Sequence, residues 1–129
     1  IADAPMLNPL RSEARANNSS NYLEYGTIKD SVECMGLINM DPYVNLKPNT
    51  NYPASLIISG YNDSRIDAWI PGKFAARLQE YSISKAPVFL DVNYNVGHQG
   101  GDTTEETIEE YSRIFAFAFG ETNHSIKNN

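Results

Sequence analysis

The sequence predicts an α/β domain in which about three parallel strands form a sheet that is flanked by helices. Two apolar runs, residues 54–60 and 87–95, have the continuous hydrophobicity of strands that are buried on both faces. A segment with helical periodicity follows each run, and this alternation of strand and helix is typical of parallel sheets. The length of 129 residues is sufficient for one domain with a single core.

Three segments precede the first of these strands. Residues 1–7 are short and apolar, and we interpret them as the end of a further strand. Residues 8–22 are polar and are expected to form a loop. Apolar side chains recur at helical spacing in residues 29–40, where Asp30 or Ser31 is a suitable N-cap.

The helices that follow the two strands have clearer signals. Residues 69–81 place their apolar side chains on one face. Residues 103–120 begin with Thr103 and Glu106 at the spacing of a capping box. This helix is expected to end at a glycine, before a frayed polar tail at residues 120–129. Its apolar face consists of Ile108, Tyr111, Phe115 and Phe119.

The composition argues against several classes of protein. A net charge of -6 and a pI near 4.8 disfavour nucleic acids and anionic membranes as partners, because both require basic surfaces. No apolar run approaches the roughly 20 residues that span a bilayer. Cys34 is the single cysteine, which excludes an intrachain disulfide and a cysteine-based zinc site. We predict no cofactor, and the sequence leaves the compartment open between cytoplasm and periplasm.

Asp63 and His98 each lie just after a predicted strand. The carboxyl ends of parallel strands meet at one edge of a sheet, so these side chains are expected to lie close together. The carboxylate would accept a hydrogen bond from Nδ1 of the imidazole, which leaves Nε2 as a general base. Glycines surround the histidine in the segment "NVGHQGG" and leave room for a substrate.

No nucleophile accompanies this pair. In α/β-hydrolases the order along the chain is Ser, Asp, His, and Asp63 before His98 obeys it. A G-x-S-x-G segment does not occur in the sequence, and Cys34 is expected to be a buried helical thiol. Two alternatives stay open: Asp63 caps the following helix, or Asp63 and His98 bind a metal with Asp102, although no metal motif matches.

The segments "DPYVNLKPNTNYPASLIISGYNDSRIDAWIPGKFAARLQ" and "PVFLDVNYNVGHQGG" resemble the C-terminal end of a prolyl oligopeptidase-family serine peptidase. The family pattern runs "SPYDNV", "YPA-LL-TG-HD-RV" and "AGHGG". The resemblance extends from about residue 24 to residue 119. It is strongest with the oligopeptidase B branch, because "DSRIDAWIPGKFAARL" is similar to the helix of that branch.

The resemblance implies that residues 1–129 are the C-terminal portion of one α/β-hydrolase catalytic domain, with the sixth to eighth strands of its sheet. Asp63 would then be the acid and His98 the base of a catalytic triad. The serine and the oxyanion hole would lie upstream, as would a β-propeller that screens substrates by size. We therefore expect the chain to be inactive by itself.

The resemblance also assigns substrate contacts. Arg65 matches a family position that contacts the backbone carbonyls of the substrate, with a surface ion pair as the alternative. Tyr25 matches a ring that lines the specificity pocket. Glu24 is acidic, but it lies one position later than the acids that bind a basic side chain in oligopeptidase B, where this chain has Asn21 and Leu23. Neither a basic nor a proline preference is therefore implied.

A sheet without a partner beside residues 1–7 would have an open edge and uncovered helix faces. We therefore expect the chain to associate with the remainder of its own enzyme or with itself. The resemblance implies that the substrate of this enzyme is a peptide. Two other interpretations are a non-catalytic interaction module of the same descent and another α/β-hydrolase such as an esterase.

Overall fold

The structure is a computed structural model that describes residues 1–14, 22–98, 100–101 and 103–122. Within these residues the chain forms three strands and six helices. In chain order they are β1 (Ala2–Asp3), α1 (Pro9–Ser12), α2 (Tyr22–Tyr25), α3 (Ser31–Met40), α4 (Pro42–Asn45), β2 (Ser55–Gly60), α5 (Trp69–Tyr81), β3 (Val88–Asn93) and α6 (Thr104–Thr122).

The strands form one parallel sheet in the order β1-β2-β3. In β1, Ala2 pairs with Ile57 of β2. The register between β2 and β3 runs from Ser55 opposite Val88 to Gly60 opposite Asn93. The last residues of β2 and β3 are therefore side by side, and the loops that follow them start from the same edge. The parallel α/β architecture predicted from the alternation of strand and helix is confirmed.

The apolar core lies between the sheet and α5. Ile57 of the central strand, Ile66 of the loop after it and Ile70 of α5 are all buried there. Burial of each such side chain stabilises the fold by about 1.5–3 kcal/mol relative to exposure. The buried members of the core are Leu7, Ile57, Ile66, Ile70, Ala75 and Leu78.

A buried polar network joins the N-terminal segment to α4 and α5. Asp41, with no exposed surface, accepts hydrogen bonds from Asn8 Nδ2 at 2.6 Å, the Leu10 amide at 3.2 Å and the Val44 amide at 2.9 Å. Lys73 of α5 donates to Asn8 Oδ1. A buried carboxylate requires such donors, so the network holds α1, α4 and α5 in one arrangement.

The N-terminal segments differ from the prediction in two respects. β1 contains two residues, because Ala4 adopts φ 40° and leaves the extended conformation. The predicted polar loop, residues 8–22, contains the helical turn α1, which has a proline in its first turn where no intrahelical amide bond is needed. Residues 15–21 of that loop lie outside the described residues.

The predicted start of the last helix is confirmed. The Thr103 amide donates to Glu106 Oε2 at 3.1 Å, and the Glu106 amide donates to Thr103 Oγ1 at 3.2 Å. The helix continues to Thr122, two residues beyond its predicted end at Gly120, because Gly120 does not adopt the positive φ of a terminating glycine. Residues 123–129 of the predicted tail lie outside the described residues.

The α6 helix contacts the sheet through a face other than its apolar stripe. Phe117 packs edge-on against Phe89 of β3, and Arg113 Nε donates to Asp91 Oδ2 at 2.8 Å. The apolar stripe predicted for this helix is 54–75% exposed, and it consists of Ile108, Tyr111, Phe115 and Phe119. Across the described ranges, no helix combines the length and the apolar character needed to cross a membrane.

Candidate active site

Asp63 lies in the turn that follows β2, and this turn holds its carboxylate in place. Oδ1 accepts hydrogen bonds from the amides of Arg65 at 2.7 Å and Ile66 at 2.8 Å. Because Ile66 is part of the core, the turn is anchored to the body of the domain. Asp63 does not cap α5, whose N-cap position is Ala68, so the capping alternative is wrong.

His98 lies at the tip of a tight turn after β3. A bridge between Gly97 and Gly100 closes this turn on either side of the histidine. Gly100 has φ 79°, a conformation that side chains with a Cβ rarely adopt. The neighbouring Gln99 and the proposed metal ligand Asp102 lie outside the described residues.

The two side chains meet as expected from their positions at adjacent strand ends. His98 Nδ1 lies 2.8 Å from Asp63 Oδ2. The side chain of Asp63 is 1% exposed, whereas that of His98 is 31% exposed. The aspartate is therefore enclosed, and the imidazole is accessible from solvent.

The protonation of the pair follows from its hydrogen bonds. Burial raises the pKa of Asp63, but the Ile66 amide, the His98 side chain and the Arg65 amide together lower it further, so the pKa lies below its usual value. An ionised carboxylate only accepts hydrogen bonds, so Nδ1 carries the proton. In the neutral ring Nε2 then has a free lone pair, and no described residue donates a hydrogen bond to it.

Gly60 permits the close approach of the two loops. A Cβ on Gly60 would lie 2.2 Å from the carbonyl oxygen of Gly97 and 2.7 Å from that of Val96. The Asn62 amide donates to the Val96 carbonyl at 3.1 Å and joins the loops directly. Sequence reasoning missed this role, for which the only signal was a glycine at the end of a buried strand.

The α6 helix supports the His98 loop from the other side. A Cβ on Gly101 would lie 2.3 Å from Cβ of Glu106, and one on Gly100 would lie 2.9 Å from Oε2 of Glu110. Burial raises the pKa of Glu110, and the negative charges of nearby acidic residues raise it further. The glycines after the histidine therefore fit against the first turns of the helix.

The predicted substrate-contacting residues occupy two places. Arg65 is exposed on the same turn as Asp63. Glu24 and Tyr25 are exposed on α2, where Glu24 raises the pKa of the Tyr25 phenol. Among the described residues, no hydrogen bond or ion pair joins α2 to the pair formed by Asp63 and His98.

Other candidate groups do not join this site. Cys34 is half-buried on α3. Ser59 is buried within β2, where its hydroxyl contacts the carbonyl of the next residue at 3.4 Å. Within the part of the chain that the structure describes, no cluster of three or more histidine, cysteine or acidic side chains has the arrangement of a metal site.

A parallel sheet with an aspartate and then a histidine on successive strand-end loops defines the class of α/β-hydrolase folds. The similarity of the chain to solved structures agrees with this class. Against a structure from a study of two prolyl endopeptidases, the TM-score is 0.87 at 28% identity over 92% of this chain. Against oligopeptidase B from Leishmania major, the TM-score is also 0.87, at 18% identity over 93% of this chain.

Sequence comparison identifies the family. The profile of the prolyl oligopeptidase family matches residues 1–125, and the chain belongs to this family. It is 34% identical over 106 residues to a prolyl endopeptidase from Elizabethkingia miricola, a match that covers 81% of this chain and 15% of that protein. It is 30% identical over 99 residues to dipeptidyl aminopeptidase BI from Pseudoxanthomonas mexicana, covering 77% of this chain and 14% of that protein.

The matches are not limited to relatives that are named prolyl peptidases or aminopeptidases. Protease 2 from Moraxella lacunata is 26% identical over 94 residues, covering 73% of this chain and 14% of that protein. The chain therefore corresponds to about 14–15% of the length of these curated relatives.

Proposed function

We propose that this chain supplies the acid and the base of a serine oligopeptidase. The observation that carries the proposal is the 2.8 Å contact between His98 Nδ1 and the buried carboxylate of Asp63. The nucleophilic serine, the oxyanion hole and the propeller would come from another part of the enzyme. Membership of a family whose relatives are named as peptidases supports a peptide as the substrate.

In the proposed reaction, a serine hydroxyl attacks the carbonyl carbon of the peptide bond while His98 Nε2 accepts the hydroxyl proton. The imidazolium that forms is stabilised by the charge of Asp63, which stays ionised. Nε2 then returns the proton to the leaving amine as the C–N bond breaks, which leaves an acyl-enzyme. In the second half, a water molecule attacks the acyl carbon while Nε2 takes its proton. The bond between the acyl carbon and the serine oxygen then breaks as Nε2 returns the proton to that oxygen, which releases the acid product and restores the serine hydroxyl.

We assign substrate-binding roles to three further side chains. Arg65 lies beside the acid on an exposed turn, where its guanidinium is suited to donate to peptide carbonyls. Tyr25 and Glu24 would line the pocket for a substrate side chain, as the resemblance implies. Their exposure on α2 is compatible with a pocket that other segments of the enzyme complete.

We also propose that the remainder of the enzyme covers the exposed stripe of α6 and the open edge of β1. A stripe that is 54–75% exposed is unfavourable in water, and its rings from Tyr111 to Phe119 form a continuous stack. The relatives contain several times the length of this chain, which is ample to supply the cover. Association of the chain with itself is the alternative.

Substitution of the base tests the catalytic role. In the full-length enzyme, His98→Ala should lower kcat/KM for peptide hydrolysis by about 10³-fold or more, because no other group takes the serine proton. Cys34→Ala is the matched control and should leave the rate unchanged. Near wild-type activity of His98→Ala, or hydrolysis by the present chain in isolation, would contradict the assignment.

A further inference from the structure

Two exposed tyrosines lie beside the candidate active site, and the proposed mechanism does not use them. Tyr61 follows β2 directly, and Tyr94 follows β3 directly. Their ring centroids are 5.3 Å apart, with an angle of 36° between the ring planes. The rings are accessible, since Tyr61 is 59% exposed and Tyr94 is 67% exposed.

Hydrogen bonds hold the backbone of both tyrosines in place. The Tyr61 amide donates to the Asn93 carbonyl at 2.8 Å, and Asn62 Nδ2 donates to the Tyr94 carbonyl at 3.0 Å. Each tyrosine is thus tied to the loop that carries the other. Among the described residues, neither phenol hydroxyl has a hydrogen-bond partner, so both are available to a ligand.

The rings do not belong to the core, whose buried members are Leu7, Ile57, Ile66, Ile70, Ala75 and Leu78. A pair of rigid aromatic side chains provides a large amphipathic surface that loses little conformational entropy on binding. Tyr61 precedes Asp63 by two residues, and Tyr94 precedes His98 by four. At about 3.3–3.6 Å per residue, the Cα atoms of Tyr61 and Tyr94 lie at most about 14 Å from those of Asp63 and His98, a span that a few residues of an extended peptide cover.

We propose that Tyr61 and Tyr94 form an aromatic platform that binds one large apolar side chain of the peptide substrate near the scissile bond. This proposal rests on the proposed peptidase function and specifies part of its substrate preference. The occupant is a peptide because the platform shares its two loops with the acid and the base. The phenol hydroxyls stay in contact with water while the faces of the rings contact the substrate side chain.

The test uses the full-length enzyme and a panel of peptides of one length. At each position within three residues of the scissile bond, alanine is compared with leucine and phenylalanine. The wild type should prefer the large side chain at one position by about tenfold in kcat/KM, the size expected for one aromatic contact. Tyr61→Ala and Tyr94→Ala should abolish this preference, so that each variant hydrolyses the leucine and phenylalanine peptides no faster than the alanine peptide.

Two controls isolate the role of the rings. Tyr61→Phe and Tyr94→Phe keep the rings and should keep the preference. Ile83→Ala removes a side chain that is 60% exposed, similar to Tyr61. Ile83 precedes β3, at the end of the sheet where the strands begin rather than where the candidate site lies, so this substitution should have no effect.

The outcomes separate this proposal from the peptidase assignment. An unchanged preference in both alanine variants would overturn the platform, while loss of activity in His98→Ala would still support the catalytic role. An equal loss of rate for every peptide would also overturn it, since the rings would then contact another part of the enzyme. Absence of peptidase activity in the full-length wild type would defeat both proposals.

Discussion

Single residues decide how closely the loops of the candidate site approach each other. Asp63 and His98 could be located from the sequence because each follows an apolar run that reads as a strand, and parallel strands end at one edge. Gly60 and Asn62 could not, because their roles depend on a contact with the segment before His98, which is distant in sequence. No local sequence pattern shows which loops will be in contact. Nor does it show that a methyl group on Gly60 would not fit between them.

Gly60→Ala should separate the base from the acid. Its Cβ would overlap backbone carbonyl oxygens at 2.2 Å and 2.7 Å, and backbone cannot move aside as a flexible side chain does. We expect a loss of about 1–3 kcal/mol of stability and a larger loss of kcat than of substrate binding in the full-length enzyme.

The control for this substitution is Gly36→Ala in the middle of α3, where a Cβ meets nothing within 4 Å. This change should raise the free energy of unfolding by about 0.5–1 kcal/mol, because alanine favours the helix. Equal effects of the two substitutions on kcat would show that the spacing of the loops is unimportant.

At the scale of the elements, the long helices were predictable and the short ones were not. Residues 69–81 form α5 as predicted, because proline near the first turn and a periodic apolar face act locally. The helical turn α1 depends instead on the carboxylate of Asp41, which accepts bonds from Asn8 and Leu10 at its start. That interaction spans more than thirty positions, so the local sequence of residues 8–22 indicates only a polar loop.

Asp41→Ala tests whether this buried carboxylate organises the N-terminal elements. It would leave the donors of Asn8, Leu10 and Val44 without their acceptor in a dry site, and we expect a loss of about 3 kcal/mol of stability. Denaturant unfolding of the full-length enzyme measures this loss.

Asp30→Ala is a control with similar bonds at an exposed position. Asp30 accepts bonds from the amides of Val32 and Glu33 at the start of α3, and its removal should cost about 1 kcal/mol. If the two variants lose the same stability, burial of the Asp41 network contributes nothing beyond ordinary capping.

At the scale of the whole molecule, the apolar stripe that predicts α6 is left largely exposed by the described residues. Helical periodicity locates a stripe on one face, but it does not show which surface that face will contact. In this structure α6 contacts the sheet through Phe117 and Arg113, while the predicted stripe faces outward. The chain corresponds to about 15% of the length of a curated relative in the prolyl oligopeptidase family, and the proposed cover for the stripe would come from the rest of such an enzyme.

The isolated chain should therefore associate in solution. The exposed rings of Tyr111, Phe115 and Phe119 and the unpaired edge of β1 both favour contact with another copy when the rest of the enzyme is absent. Sedimentation velocity at micromolar concentration should show species larger than the 14.4 kDa chain. Replacing all three rings by serine should shift the distribution toward the monomer.

The matched substitution replaces Val32 and Met35 by serine. These side chains are also exposed, on α3, but they form no stack of rings, so association should persist in this variant. Adding the upstream part of the enzyme should dissociate the assemblies of the wild-type chain, because the native cover competes for the same stripe. A monodisperse monomer of the unmodified chain in dilute solution would show that the stripe and the edge are tolerated in water, and the proposed cover would then lose its physical basis.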